Sequence, residues 1–358
     1  MRVTASRVTA FERPRPHRYL HLTDEEGRHA IGEASPLAPF SREDVAACDR
    51  ALAHVAVRLG EIDDDAPAAG AVAAALQRLG RSLSAVPAAR FALETALFDL
   101  IGRRRGLSVA ACLGPGGYRS VPVNALLLPD PLTTLADRAA ALAASGFGVI
   151  KIKLRARDEA GFARELAALR AVRERLPLPF ELRLDPNAAW APDLARRRLA
   201  ALVPVAPSYV EQPVDAASLH RLGACAVPWA ADESLADPER VEALLSSPGC
   251  AAFVLKPAIL GGLLRARELA LRAQARGIAV VITHLCDGPF AMAAAAELAL
   301  SLPLPPLACG LAPHEDLAAF AAAFGGLDVP QLARTGAVQS SGGPGLRVTS
   351  TWASAGHD

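Results

Sequence analysis

From residue 121 onward, eight short apolar runs alternate with longer alanine- and leucine-rich stretches. The runs cover 121–128, 149–154, 180–185, 209–211, 227–232, 253–256, 278–283 and 306–309. Helical patterning fills the intervals at 134–145, 159–175, 192–202, 216–222, 238–245 and 262–275, then 289–301 and, after the last run, 314–324. Short apolar runs bounded by turn residues read as buried strands, and the longer periodic stretches as helices. Eight consecutive strand-then-helix units predict an α/β fold of the (β/α) TIM-type barrel kind rather than an open doubly wound sheet. No glycine-rich phosphate loop follows any of the strands.

Residues 1–120 read differently. Alternating segments at 2–8, 19–22 and 29–33, with Asp24-Glu-Glu-Gly27 as a turn, suggest an antiparallel meander. Ser41-Arg-Glu-Asp44 has the spacing of a helix N-cap with an acid at the third helical position. A second helix is expected over 86–101, with Arg103-Arg-Arg-Gly106 as its basic, glycine-terminated end. The expected organisation is an α+β N-terminal capping domain over 1–120, a catalytic barrel over 121–325, and a C-terminal tail over 326–358. The tail, strand-like near Gly343-Pro-Gly-Leu346, is expected to pack back on the capping domain or the barrel.

At 358 residues and 52% hydrophobic the chain can bury a large core, and a net charge of +1 offers no electrostatic basis for binding nucleic acid or an anionic membrane. A small molecule is the expected partner, with a monomer or a homo-oligomer both open. The first residues lack the apolar core of a signal peptide, and no apolar run reaches the ~18 residues of a membrane span. The six cysteines are scattered without a C-x-x-C pair. These features point to a cytoplasmic protein with reduced thiols.

Three isolated acids, Asp185, Glu211 and Asp232, each end an apolar run, and Lys256 ends the next; the separations are 26, 21 and 24 residues. Side chains at the carboxyl ends of barrel strands converge on one mouth. A lone acid in such a place is usually a helix cap or a turn residue. Three at barrel-unit spacing repel one another unless a cation neutralises them, and an all-oxygen donor set favours Mg²⁺, with Mn²⁺ as a substitute. Lys151 and Lys153, at i and i+2 of one strand, share a face, while Ile150, Ile152 and Leu154 take the other. Two ammonium groups directed into a barrel need anions nearby. Lys256 approaches from the opposite side of the mouth.

Lys151-Ile-Lys153, Asp185-Pro-Asn187 with Trp190, Glu211-Gln-Pro213, Asp232-Glu-Ser234 and Lys256-Pro257, in that order, resemble the enolase superfamily and, within it, the muconate-lactonizing-enzyme subgroup. Ile31-Gly-Glu-Ala-Ser-Pro-Leu-Ala-Pro-Phe-Ser41 is similar to a first-domain segment of o-succinylbenzoate synthases. The resemblance implies Asp185, Glu211 and Asp232 as Mg²⁺ ligands. It also implies a lysine base that removes the proton α to a metal-bound carboxylate, the metal stabilising the resulting enediolate. For a synthase it implies that Lys153 takes the α-proton and returns it to the departing hydroxyl of 2-succinyl-6-hydroxy-2,4-cyclohexadiene-1-carboxylate, a lyase step of menaquinone synthesis. Lys256 would then serve as a cation beside the ring, and Lys151 would disfavour a second positive charge next to it.

Asn187, Glu233, Ser234, His284 and Asp287 are the expected supporting or substrate-contacting residues. His284, in Thr283-His-Leu-Cys-Asp-Gly288, is read chiefly as a hydrogen-bonded structural residue, since lysines already supply acid and base. Leu307-Ala-Cys-Gly-Leu-Ala-Pro313 lacks the D-x-D that dipeptide epimerases of this subgroup carry for a substrate amino group. The alternative reading is an N-acylamino-acid racemase or dipeptide epimerase using Lys153 and Lys256 on opposite faces of the α-carbon. A muconate-type cycloisomerase is the weaker alternative.

Overall fold

The period-2 alternation near the N-terminus produces an antiparallel meander of β1 (Val3–Phe11), β2 (His17–Asp24) and β3 (His29–Ala34), with β2 central. Tyr19, Leu20 and Leu22 of β2 are fully buried. The computed structural model describes residues 1–350 except 13, 14, 54, 116, 325, 333 and 334. The helix Pro87–Arg105 runs longer than its expected 86–101 and ends at Gly106 in the left-handed region, φ 69°. It is buried on almost every face because it lies between β3 and barrel helices that include Pro257–Leu260 and Pro289–Leu300. The close approach depends on Gly32 of β3: the Ala92 carbonyl occupies the place a Cβ would take. Any side chain at 32 would push the helix off the sheet.

The expected N-cap at Ser41 is displaced. The helix Val45–Leu52 is capped by Asp44, whose carboxylate accepts from the Ala47 N–H at 2.7 Å. Ser41 closes the preceding turn instead, its hydroxyl accepting from the Leu37 N–H at 2.9 Å. A carboxylate at the cap is the stronger acceptor and also faces the positive helix end, so it outcompetes the hydroxyl.

The expected first barrel strand over 121–128 divides in two. β4 (Ser120–Pro122) pairs antiparallel with a tail strand, while β5 (Ala125–Leu127) opens the barrel. The barrel continues through β6 (Val149–Lys153), β7 (Glu181–Asp185), β8 (Tyr209–Glu211), β9 (Trp229–Ala231), β10 (Cys250–Leu255) and β11 (Ala279–Ile282), all parallel and in sequence order. The helices Glu159–Arg175 and Pro238–Leu245 match their expected bounds. The stretch 216–222 shortens to a 3-10 turn over Leu219–Arg221.

The eighth run, expected as a strand over 306–309, is reduced to single parallel bridges, Val123↔Cys309 and Thr283↔Gly310. Pro303, Pro305 and Pro306 lack N–H donors and keep the chain entering this segment from extending a ladder. The ring still closes: Leu307 N–H donates to Val280 O at 2.8 Å, and Cys309 N–H to Pro122 O at 2.8 Å. In the tail, β12 (Leu327–Asp328) pairs with β14 (Thr349–Ser350), and β13 (Ala337–Gln339) is the partner of β4. The described part of the tail contacts both the N-terminal helix and a barrel helix. Leu346 N–H donates to Asp99 Oδ1 at 2.8 Å, and the Gln331 side-chain amide donates to Glu297 at 3.0 Å. Residues 351–358 lie outside the described residues.

Buried acids join the N-terminal elements to the barrel. Glu94, in the helix Pro87–Arg105, accepts from the Leu264 N–H at the start of the helix Leu263–Gln274 and pairs with Arg90 at 3.0 Å. Burial pushes its carboxyl up to about 7, although Arg90 and the backbone donors oppose this. Because the folded carboxyl titrates above its ordinary value of 4.5, the native state binds the extra proton between pH 4.5 and 7. Stability is therefore expected to fall by about 3 kcal/mol as pH rises across that window and to level off above it. Glu94→Gln is expected to remove this slope, so that the melting temperatures of variant and parent diverge in the variant's favour by about 5 °C between pH 5 and 8. Parallel melting curves across pH would rule out a buried Glu94 charge as their cause.

Candidate active site

Strand geometry sets the site. Lys151 and Lys153 of β6 project into the barrel mouth while Ile150 and Ile152, both fully buried, face the helices. Lys153 sits in register with Asp185, the last residue of β7. Glu211 is the last residue of β8, Asp232 follows β9, and Lys256 follows β10. The acids and lysines thus stand at the carboxyl ends of five consecutive strands.

Each acid is held by a lysine. Lys151 Nζ lies 2.8 Å from Asp185 Oδ2 and donates to Glu211. Lys153 Nζ donates to Asp185 Oδ2 at 2.6 Å and to Asn187 Oδ1 at 2.8 Å. Lys256 Nζ contacts both Asp232 oxygens. Asn187, at φ 49°, also donates its N–H to Asp185 Oδ1 at 2.8 Å. Among the described residues, no three His, Cys, Asp or Glu side chains are gathered as a group that could hold a metal ion. The expected triad is therefore present as three lysine-paired carboxylates on neighbouring strands. Its donor chemistry still suits a hard divalent cation, since all three are buried carboxylates sharing one field.

That field appears in their titration. Burial opposes the charge on Asp185, but Lys151 and Lys153 outweigh it and hold the carboxyl well below its ordinary range. Burial lifts Glu211 to about 7; Lys151 pulls against this, while Asp185 and Asp232 add to it. Asp232 is raised by burial, with Lys256 opposing and Glu233 adding. Burial works against the ammonium of Lys151, yet Asp185, Glu211 and Asp232 together drive it well above the usual lysine value. Three mutually repelling carboxylates thus create a demand for positive charge, which the lysines meet.

Gln212 organises the far side of the cluster. Its Oε1 accepts from the Asp232 N–H at 3.0 Å and its Nε2 donates to Ser234 Oγ at 2.7 Å. Ser234 is fully buried in this contact. Glu233 Oε2 is buried without a hydrogen-bond partner among the described residues and adds negative potential at Lys256. Gln212, within Glu211-Gln-Pro213, carries no charge to single it out in the sequence; its backbone adopts φ 38°.

An open pocket lies over the cluster. Lys151, Lys153, Asn187, Glu211, Lys256 and His284 line it. Asn124, Tyr209, Thr283 and Gly310, and Leu37 and Phe40 from the N-terminal loop, line it as well. Those residues carry no charge, which is why single-residue patterning passed over them. Tyr209 stands two residues before Glu211 on the same strand face, with the Arg183 guanidinium 5.1 Å from its ring centre. Arg183, fully buried inside the barrel, donates to Ala308 O at 2.6 Å and ties the bridge-only eighth segment to β7.

His284 stacks on His314 with ring centres 4.9 Å apart. Burial, His314 and the nearby cations push it down to about 3, so it presents a neutral imidazole to the pocket. Its Nδ1 finds no hydrogen-bond partner among the described residues, which departs from the hydrogen-bonded structural role expected for it. Asp287, expected as a supporting or substrate-contacting residue, is 3% exposed, and its carboxylate is engaged by Ser35, Arg15 and the Leu285 N–H, which makes it a supporting residue.

Comparison with known proteins agrees with this architecture. Residues 134–353 match the enolase C-terminal domain-like family. The chain is 32% identical over 293 residues, 79% of each chain, to an L-Lys-D/L-Arg epimerase of Methylococcus capsulatus. It is 34% identical over 218 residues to an o-succinylbenzoate synthase of Desulfotalea psychrophila, spanning 59% of this chain and 58% of that one. A dipeptide epimerase from Methylococcus capsulatus solved with a Mg ion superimposes with a TM-score of 0.80 at 26% identity, covering 98% of this chain and all of the other. The muconate lactonizing enzyme of Pseudomonas putida superimposes with a TM-score of 0.85 over 98% of both chains, and at 22% identity that likeness concerns the fold. A closed barrel with acids and lysines at consecutive strand ends, matched along more than half its length, belongs to the enolase superfamily.

Proposed function

We propose that the protein is a Mg²⁺-dependent dehydratase that converts 2-succinyl-6-hydroxy-2,4-cyclohexadiene-1-carboxylate to o-succinylbenzoate, a step of menaquinone synthesis. The observation that carries this reading is the charge pattern of the pocket. Lysines and the carboxylate cluster occupy its floor, while Leu37, Phe40, Leu126, Tyr209, Val254, Val281 and Leu285 form apolar walls, and the wall at Gly310 and Ala312 carries no acid to receive a substrate ammonium. Such a pocket suits a carboxylate on an apolar ring better than a cationic dipeptide.

Asp185, Glu211 and Asp232 would hold Mg²⁺, or Mn²⁺ in its place, once the lysines release them. The bound ion supplies positive charge where a substrate carboxylate gains negative charge. Lys153 takes the α-proton and delivers it to the departing hydroxyl, so that one water leaves and the ring becomes aromatic. Lys153 does this as the free amine, and becomes the ammonium that then gives the proton up; Asn187, 2.8 Å from its Nζ, aims it. Lys256, on the opposite side of the mouth, remains a cation beside the ring. Phe40 and Leu37 add apolar surface from the N-terminal region to the pocket wall.

The 32% identity to an epimerase favours a second reading, α-proton exchange in an N-acylamino acid with Lys153 and Lys256 on opposite faces. One comparison separates the two. The Mg²⁺-loaded protein is expected to dehydrate the cyclohexadiene acid, to stop when the metal is chelated, and to resume when it is restored. Deuterium incorporation into an N-succinylamino acid that needs both lysines, without any dehydration, would overturn the choice of reaction.

A further inference from the structure

Polar contacts from the N-terminal region converge on one barrel loop, 283–288, and on the start of the helix that follows it. Ser35 Oγ donates to Asp287 Oδ1 at 2.7 Å, and Asp287 Oδ2 accepts from the Leu285 N–H at 3.0 Å. Glu33 Oε1 accepts from the Gly288 N–H at 2.6 Å, and Oε2 accepts from the N–H groups of Phe290 and Ala291, each at 3.2 Å. Arg15 donates to Leu285 O at 2.6 Å and to Cys286 O at 3.0 Å while also donating to Ser35 O at 2.6 Å. Glu33, Ser35 and Asp287 are 0%, 2% and 3% exposed.

These contacts are more than generic packing between two layers. A carboxylate lodged on the first N–H groups of the helix Pro289–Leu300 satisfies donors that no residue within that helix can reach. His17 Nδ1 lies 2.7 Å from Glu33 Oε1, which holds that carboxylate from behind. Gly288 leaves the room: the Glu33 carboxylate fills the space a Cβ would occupy. Between the two anchor points Cys286 adopts φ 51°, a conformation a non-glycine residue keeps only when its surroundings impose it. The loop so held supplies Thr283, His284, Leu285 and Cys286 to the pocket wall.

We infer that Ser35, Glu33 and Arg15 are positioning residues that hold the 284–286 wall against the substrate, so that the N-terminal region governs substrate affinity through the backbone of a barrel loop. The inference rests on the dehydration proposed above for its kinetic readout alone.

The test is Ser35→Ala in the Mg²⁺-loaded full chain, read by amide hydrogen exchange and by steady-state dehydration of the cyclohexadiene acid. Exchange of the amides in 285–291 is expected to quicken by roughly ten-fold while those of β6 to β8 stay unchanged. KM is expected to rise by about five-fold to ten-fold with kcat held within about two-fold. Gly288→Ala, which displaces the Glu33 carboxylate without deleting a polar group, is expected to give the same pattern and serves if Ser35→Ala does not fold. Unchanged local exchange, exchange raised throughout the chain, or a loss confined to kcat would each overturn the inference. If the unsubstituted protein fails to dehydrate the acid, the reaction proposed above falls, and the exchange pattern alone decides whether the clamp exists.

Discussion

Lys153→Ala is expected to lower kcat for dehydration by roughly 10²-fold to 10⁴-fold, the range removed with a positioned general base. The side chain is well placed for that role: its ammonium reaches Asp185 and Asn187 at the pocket floor. Lys151 remains to neutralise Asp185 in the variant, so truncation should cost less stability than removal of Asp185 itself. Lys256→Ala separates the two candidate reactions further. A dehydratase that uses Lys256 only as a cation should lose less rate than it loses with Lys153→Ala, whereas a racemase needs both lysines as proton carriers and should lose equally. A Lys153→Ala protein with undiminished rate would remove this lysine from the mechanism.

Asp185→Asn should damage both activity and stability. Asp185 is fully buried and is the shared anion of Lys151 and Lys153. Breaking a buried pair by deleting one partner typically costs 3–5 kcal/mol, and Glu211 remains to hold Lys151, so a loss of about 2–4 kcal/mol is expected. The sign with pH follows from the titration. The lysines hold the folded carboxyl below its ordinary value, so its contribution is present above pH ~4 and is lost as pH falls through the depressed value. The gap in stability between parent and variant should therefore narrow as pH is lowered below ~4. Added Mg²⁺ should raise the melting temperature of the parent, since a ligand that binds only the folded state stabilises it, and should do so far less in the variant. Equal Mg²⁺ responses in the two proteins would take Asp185 out of the ligand set.

Much of this was legible residue by residue. The placement of Lys151 and Lys153 on one strand face follows from a period of two, and the acids at three successive strand ends follow from unit spacing. Both are properties of stretches of about 30 residues or fewer. The apolar content of 306–309 fits a strand, but the prolines at 303, 305 and 306 leave it bridges in place of a ladder. The cap at Asp44 was missed because Ser41 and Asp44 both fit the local pattern, and only the turn that engages Ser41 decides between them. Tyr209, Asn124 and Phe40 carry no charge, and nothing local distinguishes a pocket wall from a core or surface position.

By itself, the sequence determined the barrel and the strand ends that carry charge, because strand period and repeat length are set by nearest neighbours along the chain. Only the tertiary structure decided which lysine holds which carboxylate and which residues wall the pocket. It alone also decided that Glu33 and Ser35 grip a loop more than 250 residues away. Contacts at that separation depend on how the N-terminal layer lands on the closed barrel, and no local pattern encodes where a carboxylate will meet the first N–H groups of a distant helix.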